Sequence, residues 1–235
     1  MVYFSREGDN LFPIKDTVPN KSFPTATWLI IALNGIVFFF ETTLPQDLLE
    51  QFIMLFGVVP AEYARPRHLR GLPLIDYLSF LTTMFLHGGW LHILGNMWFL
   101  RIFGSKVEDG MGHCRFLAFY LICGVLASMF YIYFSPGSTM PVIGASGAIA
   151  GVMGAYYVMY PRAKVLTFIP IFIIPFFIEV PAFLFLGWWF LLQILSGTVA
   201  LVLPVTGGGV AWWGHIGGFI AGILLMPFFI KRRRR

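Results

Sequence analysis

Runs of apolar residues alternate along the chain with short polar connections, and most of the runs approach the length of a membrane span. A helix needs roughly 20 such residues to cross a ~30 Å hydrocarbon core. By that measure spans are expected at residues 26–40, 90–103 (extended upstream by 80–86), 116–134, 146–160, 182–196 and 213–230. Between the first two, Leu44 to Asp76 mixes charges, turn residues and amphipathic pieces. It is too polar to span and too apolar to be a linker, so it is expected to lie at the membrane surface. The polar opening from Met1 to Lys21 leads us to expect that the first span is retained rather than cleaved.

Val165 to Val180 is apolar as well, but Pro170, Pro175 and Pro181 would break a helix every five or six residues, and Glu179 sits near its end. Charge decides against a seventh span. With six, both termini share a side with the second–third and fourth–fifth connections. That side holds Arg6, Lys15, Lys21, Arg101, Lys106, Arg115, Arg162, Lys164, Lys231 and the four tail arginines, 13 of the 16 cations. The other side holds only Arg65, Arg67 and Arg70. The excess of cations predicts cytoplasmic termini, and a seventh span would reverse the tail. The expected fold is therefore an all-α polytopic bundle of six transmembrane helices with a short central fourth helix. Its parts are a cytoplasmic segment 1–25, a membrane domain 26–230 and a basic tail 231–235.

Composition excludes the alternatives to a membrane protein. The chain is 58% hydrophobic and 11% charged, where soluble domains carry about 25% charge. The net charge of +5 is not a nucleic-acid footprint, because the cations sit between and after hydrophobic runs. Cys114 and Cys123 fall in or beside one apolar run and define no disulfide framework.

Polar groups inside spans are functional candidates, because burying them in lipid is costly. Four stand out: His92 and Asn96 on the second span, Ser146 opening the fourth, and His215 on the sixth. At 1.5 Å per residue, Ser146 lies ~22 Å above Pro161, His215 ~24 Å above Lys231 and His92 ~21 Å above Lys106. Three helices place a polar group on one level. The fourth span is too short to cross, so its N-terminus begins inside the membrane and needs water or protein partners. Its dipole favours a developing oxyanion beside Ser146. Gly147 and Gly151 form one small-residue face, and Gly214, Gly218 and Gly222 another, which allows the close approach that a Ser146–His215 hydrogen bond requires. His92 and Asn96, four apart, project from one face and can donate to the same oxygen.

Three stretches carry a resemblance. Gly144-Ala145-Ser146-Gly147, the segment from His87 through His92 to Asn96, and Gly214-His215-Ile216-Gly217-Gly218-Phe219-Ile220-Ala221-Gly222 resemble the signature regions of the rhomboid intramembrane serine proteases. The resemblance covers roughly Leu74 to the C-terminus. It implies a rhomboid-like six-helix bundle and a Ser–His dyad, with Ser146 as nucleophile and His215 as base. It also implies an oxyanion hole lined by His92, Asn96 and the Ser146 N–H. Glu108 resembles a structural glutamate that ties the second helix to a nearby loop, and Gly144, Gly147, Gly218 and Gly222 take structural places. The chain departs from the family pattern in its first loop, where Leu78-Ser79 stands in place of a Trp-Arg pair. The function implied is a serine endopeptidase acting in or near transmembrane segments of membrane-protein substrates, without cofactor or metal and without nucleic acid. A prokaryotic cell membrane with cytoplasmic termini is the expected location.

Each residue also has a plainer reading. A serine between glycines is by itself a packing feature. His87 and His113, near span ends, read as interfacial or structural, His68 as solvated, and the Trp188-Trp189 pair as packing or part of a gate. Lys231 to Arg235 reads as a topology anchor. A transporter with a discontinuous fourth helix is the competing function, disfavoured because no acidic residue falls within the expected spans. An inactive client-binding relative is disfavoured by the intact dyad. A metalloprotease would need an HExxH motif, and an aspartyl protease two intramembrane aspartates.

Overall fold

A computed structural model describes residues 12–63, 74–171, 174–202 and 210–231. Arg6, Arg65, Arg67, His68, Arg70 and the tail beyond Lys231 lie outside the described residues. In chain order the elements are β1 (Phe12–Asp16), α1 (Thr25–Thr43), α2 (Gln46–Phe56), α3 (Pro60–Tyr63), α4 (Leu74–Thr82) and α5 (Trp90–Phe99). A π-helical turn, Leu100–Gly104, leads into α6 (Ser105–Met111). Then follow α7 (His113–Phe134), α8 (Ser146–Met159), β2 (Lys164–Ile171), β3 (Ile174–Pro181), α9 (Ala182–Val202) and α10 (Trp212–Phe229). Among the described residues, α1, α7, α9 and α10 are each long and apolar enough to cross a membrane. The second expected span is divided among α5, the π turn and α6, and α8 is a shorter apolar helix.

The short helix is the hub. Every residue from Ala148 to Tyr156 is buried, so α8 must be apolar or small on all sides. Its glycines serve two neighbours. A Cβ on Gly147 would stand 2.7 Å from Ala127 Cβ, and one on Gly151 2.5 Å from Cys123 Cβ, both on α7. On the α10 side the relation is reciprocal: a Cβ on Gly218 would run into the Gly147 carbonyl and one on Gly222 into the Gly151 carbonyl, while one on Gly154 would strike the Phe219 carbonyl. Backbone therefore lies against backbone along this seam, a contact held in lipid by van der Waals packing and Cα–H···O interactions.

Glu108 fixes the other side of the bundle. Its carboxylate, buried to 1% exposure, accepts the Ala26 and Thr27 N–H groups at 2.8 Å each and the Thr27 hydroxyl at 2.6 Å. It thus caps the N-terminus of α1, where a negative group opposes the helix dipole and where no side chain within the helix does so. His113 Nδ1 lies 2.5 Å from the same carboxylate, which bears out a structural reading of that histidine.

Two features extend or correct the expectations. The ambiguous segment after α8 forms strands, not a span: β2 and β3 pair antiparallel from Lys164↔Pro181 to Ile171↔Ile174, and β1 pairs antiparallel with β2. Prolines that forbid a helix are compatible with extended chain at a sheet edge, and this three-stranded sheet is an addition to the helical bundle. The expected upstream extension of the second span is not continuous with it. The chain breaks at Leu86–Gly89 between a 3₁₀ turn (Thr83–Phe85) and α5, and the Glu41 carboxylate accepts the His87 N–H there at 3.2 and 3.3 Å.

The surface segment also has a task. Val58 and Val142 exchange backbone hydrogen bonds of 3.2 and 2.7 Å, and Ala61 N–H donates to Ser138 O at 2.8 Å. The loop before Ser146 is thereby pinned from outside, while Thr83 holds its inner side through Val142 O and the Gly144 N–H.

The seam makes a prediction. Gly222→Ala should cost about 1–3 kcal/mol, as overpacking does, and lower the thermal midpoint in detergent by about 2–10 °C. Gly35→Ala, on α1 with nothing within 4 Å of the added methyl, should leave the midpoint unchanged or raise it.

Candidate active site

Ser146 begins α8, and His215 lies in the first turn of α10. The glycine seam brings the two together: Ser146 Oγ and His215 Nε2 are 2.9 Å apart. The other imidazole nitrogen is also bound. Gln193, on α9 and buried to 5% exposure, donates from Nε2 to the Trp189 carbonyl at 3.2 Å. This turns its Oε1 toward His215 Nδ1, 2.8 Å away. A carbonyl oxygen only accepts, so Nδ1 carries the proton and Nε2 presents its lone pair to the serine hydroxyl. Trp189 and Trp212 flank the ring, with centroids at 5.9 and 6.3 Å.

His92 and Asn96 lie against Gly144, two residues before Ser146. A Cβ on Gly144, whose φ is +122°, would lie 2.7 Å from His92 Nε2 and 3.6 Å from Asn96 Nδ2. Glycine is required there twice, for the backbone angle and for the space. His92 Nδ1 accepts the Gly88 N–H at 3.4 Å, which leaves the proton on Nε2, facing the residue two before Ser146. Asn96 Nδ2 is buried without a hydrogen-bond partner among the described residues. The His87 ring packs on His92 with centroids 5.1 Å apart, so His87 is buried support rather than an interfacial residue.

A small cavity of about 20 Å³ adjoins the pair, lined in part by Ser146, His215, Ser128 and Gly144. It has room for one water. Among the described residues no three His, Cys, Asp or Glu side chains converge where a metal ion could sit.

Of the four polar residues expected from the sequence, Ser146 and His215 thus meet directly, and His92 and Asn96 lie together against Gly144, two residues before Ser146. Two contributors were missed. Gln193 lies inside the expected fifth span, and the cost of burying an amide in lipid was signal enough to find it. Glu41 lies one residue beyond the expected first span. Because α1 continues to Thr43, this buried carboxylate falls within a helix, which corrects the expectation that the spans are free of acids. Of the Leu78-Ser79 pair, Leu78 is exposed and Ser79 is buried with its Oγ 2.6 Å from the Tyr63 hydroxyl. Trp188 is exposed, and Trp189 packs on His215.

Comparison with known proteins gives the chain a family. The Rhomboid domain family matches residues 76–232. The chain is 31% identical over 205 residues to Rhomboid protease GluP of Bacillus subtilis, covering 85% of this chain and 34% of that protein. It is 28% identical over 151 residues to the mitochondrial Rhomboid protein 1 of Saccharomyces cerevisiae, covering 63% of this chain and 40% of that one. A shorter match, 40% identical over 75 residues, links it to the mitochondrial RHOMBOID-like protein 6 of Arabidopsis thaliana, covering 32% and 24%. The chain therefore spans well under half the length of these relatives. Four helices long and apolar enough to span among the described residues, together with a domain match over most of its length, make it an integral multi-pass membrane protein that belongs to the rhomboid family.

Proposed function

We propose that this chain is an intramembrane serine endopeptidase that hydrolyses peptide bonds in or near transmembrane segments of protein substrates. The observation that carries this reading is the 2.9 Å contact between Ser146 Oγ and His215 Nε2 with Nδ1 held by Gln193. His215 takes the hydroxyl proton as Oγ attacks the scissile carbonyl, then gives it to the leaving amine as the tetrahedral intermediate collapses. Water, activated by the same nitrogen, adds to the acyl-enzyme and releases the acid with Ser146 restored. Oxyanion charge falls to the His92 Nε2–H, the Asn96 amide and the free N–H groups at the start of α8. The unpartnered Asn96 Nδ2 supports this, because a buried donor is costly unless a group arriving with the substrate accepts its bond. The charge asymmetry of the sequence supports cytoplasmic termini in a cell membrane.

The test is proteolysis of a single-span substrate by the purified chain. Ser146→Ala and His215→Ala should each reduce cleavage to below about one thousandth of wild type with unchanged melting temperature, and a fluorophosphonate should label Ser146. Near wild-type cleavage by Ser146→Ala would falsify the mechanism, and a wild-type protein that binds substrate without cutting it would favour a client-binding role.

Oxyanion stabilisation and bracing separate by their readouts. Asn96→Ala should lower kcat by up to about 10²-fold with little change in KM, because its bond forms only in the transition state. Glu108→Gln should chiefly lower the melting temperature, by removing a charge-assisted cap worth about 1.5–3 kcal/mol. If Asn96→Ala moves only the melting temperature, Asn96 is a packing residue.

Gln193 should act through His215. Gln193→Met keeps the length and loses the acceptor, so kcat should fall by about ten- to a hundredfold, less than the ~10⁴ that follows loss of the orienting carboxylate in a soluble serine protease. Gln193→Glu keeps an acceptor and should retain more activity than Gln193→Met, despite a lower melting temperature. Equal activity in the two variants would reduce Gln193 to packing.

A further inference from the structure

The sequence reading places Lys15, Lys21, Arg101 and Lys106 on the basic side of the membrane, and backbone and side-chain contacts gather these groups at the end of the bundle remote from Ser146. Lys21 N–H donates to Asp109 at 2.5 Å, and Lys106 Nζ donates to Asn20 Oδ1 at 2.6 Å. There, between β1, the start of α1 and the π turn, lies a cavity of about 540 Å³, a volume within the range of ligand sites.

Its chemistry is one-sided. Lys15, Arg101 and Lys106 line it, and Asp16 is its sole acidic lining residue. Asp16 is already engaged, accepting from the Tyr156 hydroxyl at 2.6 Å and lying 3.5 Å from Lys106 Nζ. Burial pushes its carboxyl above the ordinary value against the pull of those two partners, which weakens it further as a counter-ion. Arg101 is exposed and pairs with no carboxylate among the described residues. Its guanidinium instead sits 6.0 Å from the Trp28 ring centroid and 5.9 Å from that of Trp98. Two indoles around a free arginine on the cation-rich side of a bilayer describe the headgroup level, where tryptophans collect and anionic lipids attract basic residues. Arg101 also belongs to the π turn, a distortion found frequently at functional sites. From the mouth of the cavity the exposed side chains of Leu29, Leu33 and Ile36 continue along α1 and offer an apolar lane for acyl chains.

We propose that this cavity binds the headgroup of an anionic glycerophospholipid, with the phosphate on Arg101, Lys15 and Lys106 between the two tryptophans. The site is separate from the Ser146 centre and stands whether or not the chain is a protease. An isolated phosphate would find the same cations, but the tryptophan walls and the apolar lane favour a lipid.

The full chain, purified in detergent, is titrated with phosphatidylglycerol, phosphatidylcholine or inorganic phosphate, with lipid retention followed by native mass spectrometry and stability by thermal unfolding. Phosphatidylglycerol should be retained in preference to phosphatidylcholine and should raise the melting temperature, whereas phosphate at equal concentration should not. Arg101→Gln and Lys15→Gln should each weaken phosphatidylglycerol retention about fivefold, the effect of removing one interfacial cation. Arg115→Gln, which removes an exposed cation of the same side outside the cavity, should have no effect. Should Arg101→Gln fail to fold, Lys15→Gln, an exposed position, carries the test. Equal retention of the two lipids, equal stabilisation by phosphate, or equal weakening by Arg115→Gln would each overturn the proposal.

Discussion

The backbone contact between α8 and α10 is the constraint on which the rest of the structure depends. Ser146 and His215 meet because Gly218 and Gly222 admit the carbonyls of Gly147 and Gly151, and because Gly154 admits that of Phe219. A single methyl at any of these places meets backbone, which cannot rotate away as a side chain can. The same requirement explains why α8 is buried from Ala148 to Tyr156. Along that stretch the helix is enclosed between α7 and α10 and has no exposed face. Its N-terminus then ends inside the protein, with first-turn N–H groups that no helical residue can satisfy. Depth, dipole and free donors are consequences of one packing decision.

Polar groups in such a setting persist only where something answers them. Gln193 answers His215, Glu41 answers the His87 N–H, Glu108 answers the first turn of α1, and Thr83 answers the loop that carries Gly144. Each of these bonds links residues distant in sequence, so each also fixes the relative position of two elements. Asn96 Nδ2 has no such answer among the described residues, as is also true of His87, Tyr120 and Trp213, but it alone of these lies against Gly144, two residues before Ser146.

The helices were legible because lipid demands a length and a composition, and both leave a mark in sequence. The level shared by Ser146, His215 and His92 was legible for the same reason, since a helix has a fixed rise and the basic residues supply a common zero. What remained hidden depends on contacts between elements. The strands at Lys164–Pro181 could be recognised as non-helical from their prolines, yet their pairing with β1 needs a partner some 150 residues earlier. Residues 80–86 and 90–103 read as one apolar run, because the break at Leu86–Gly89 is held by Glu41 from another helix. The glycine faces were visible, but which neighbour each serves was not: Gly147 and Gly151 make room for α7, as Gly217 does for Phe130 of α7, and Gly218 and Gly222 make room for α8.

Gln193 ties His215 to the least embedded of the long helices among the described residues. Only 22% of the apolar window of α9 is buried, against 44% for α10, so α9 has the least packing to hold it in place. Its amide nevertheless determines which nitrogen of His215 bears the proton. A hydrogen bond of 2.8 Å is lost by ~3.6 Å, so an outward shift of α9 by about an ångström would release Nδ1. The imidazole would then be free to change tautomer, and the lone pair facing Ser146 would no longer be assured. Conversely, α9 seated against α10 restores the orientation without any change at Ser146 itself. The position of α9 and the tautomer of His215 are in this way joined by a single side chain.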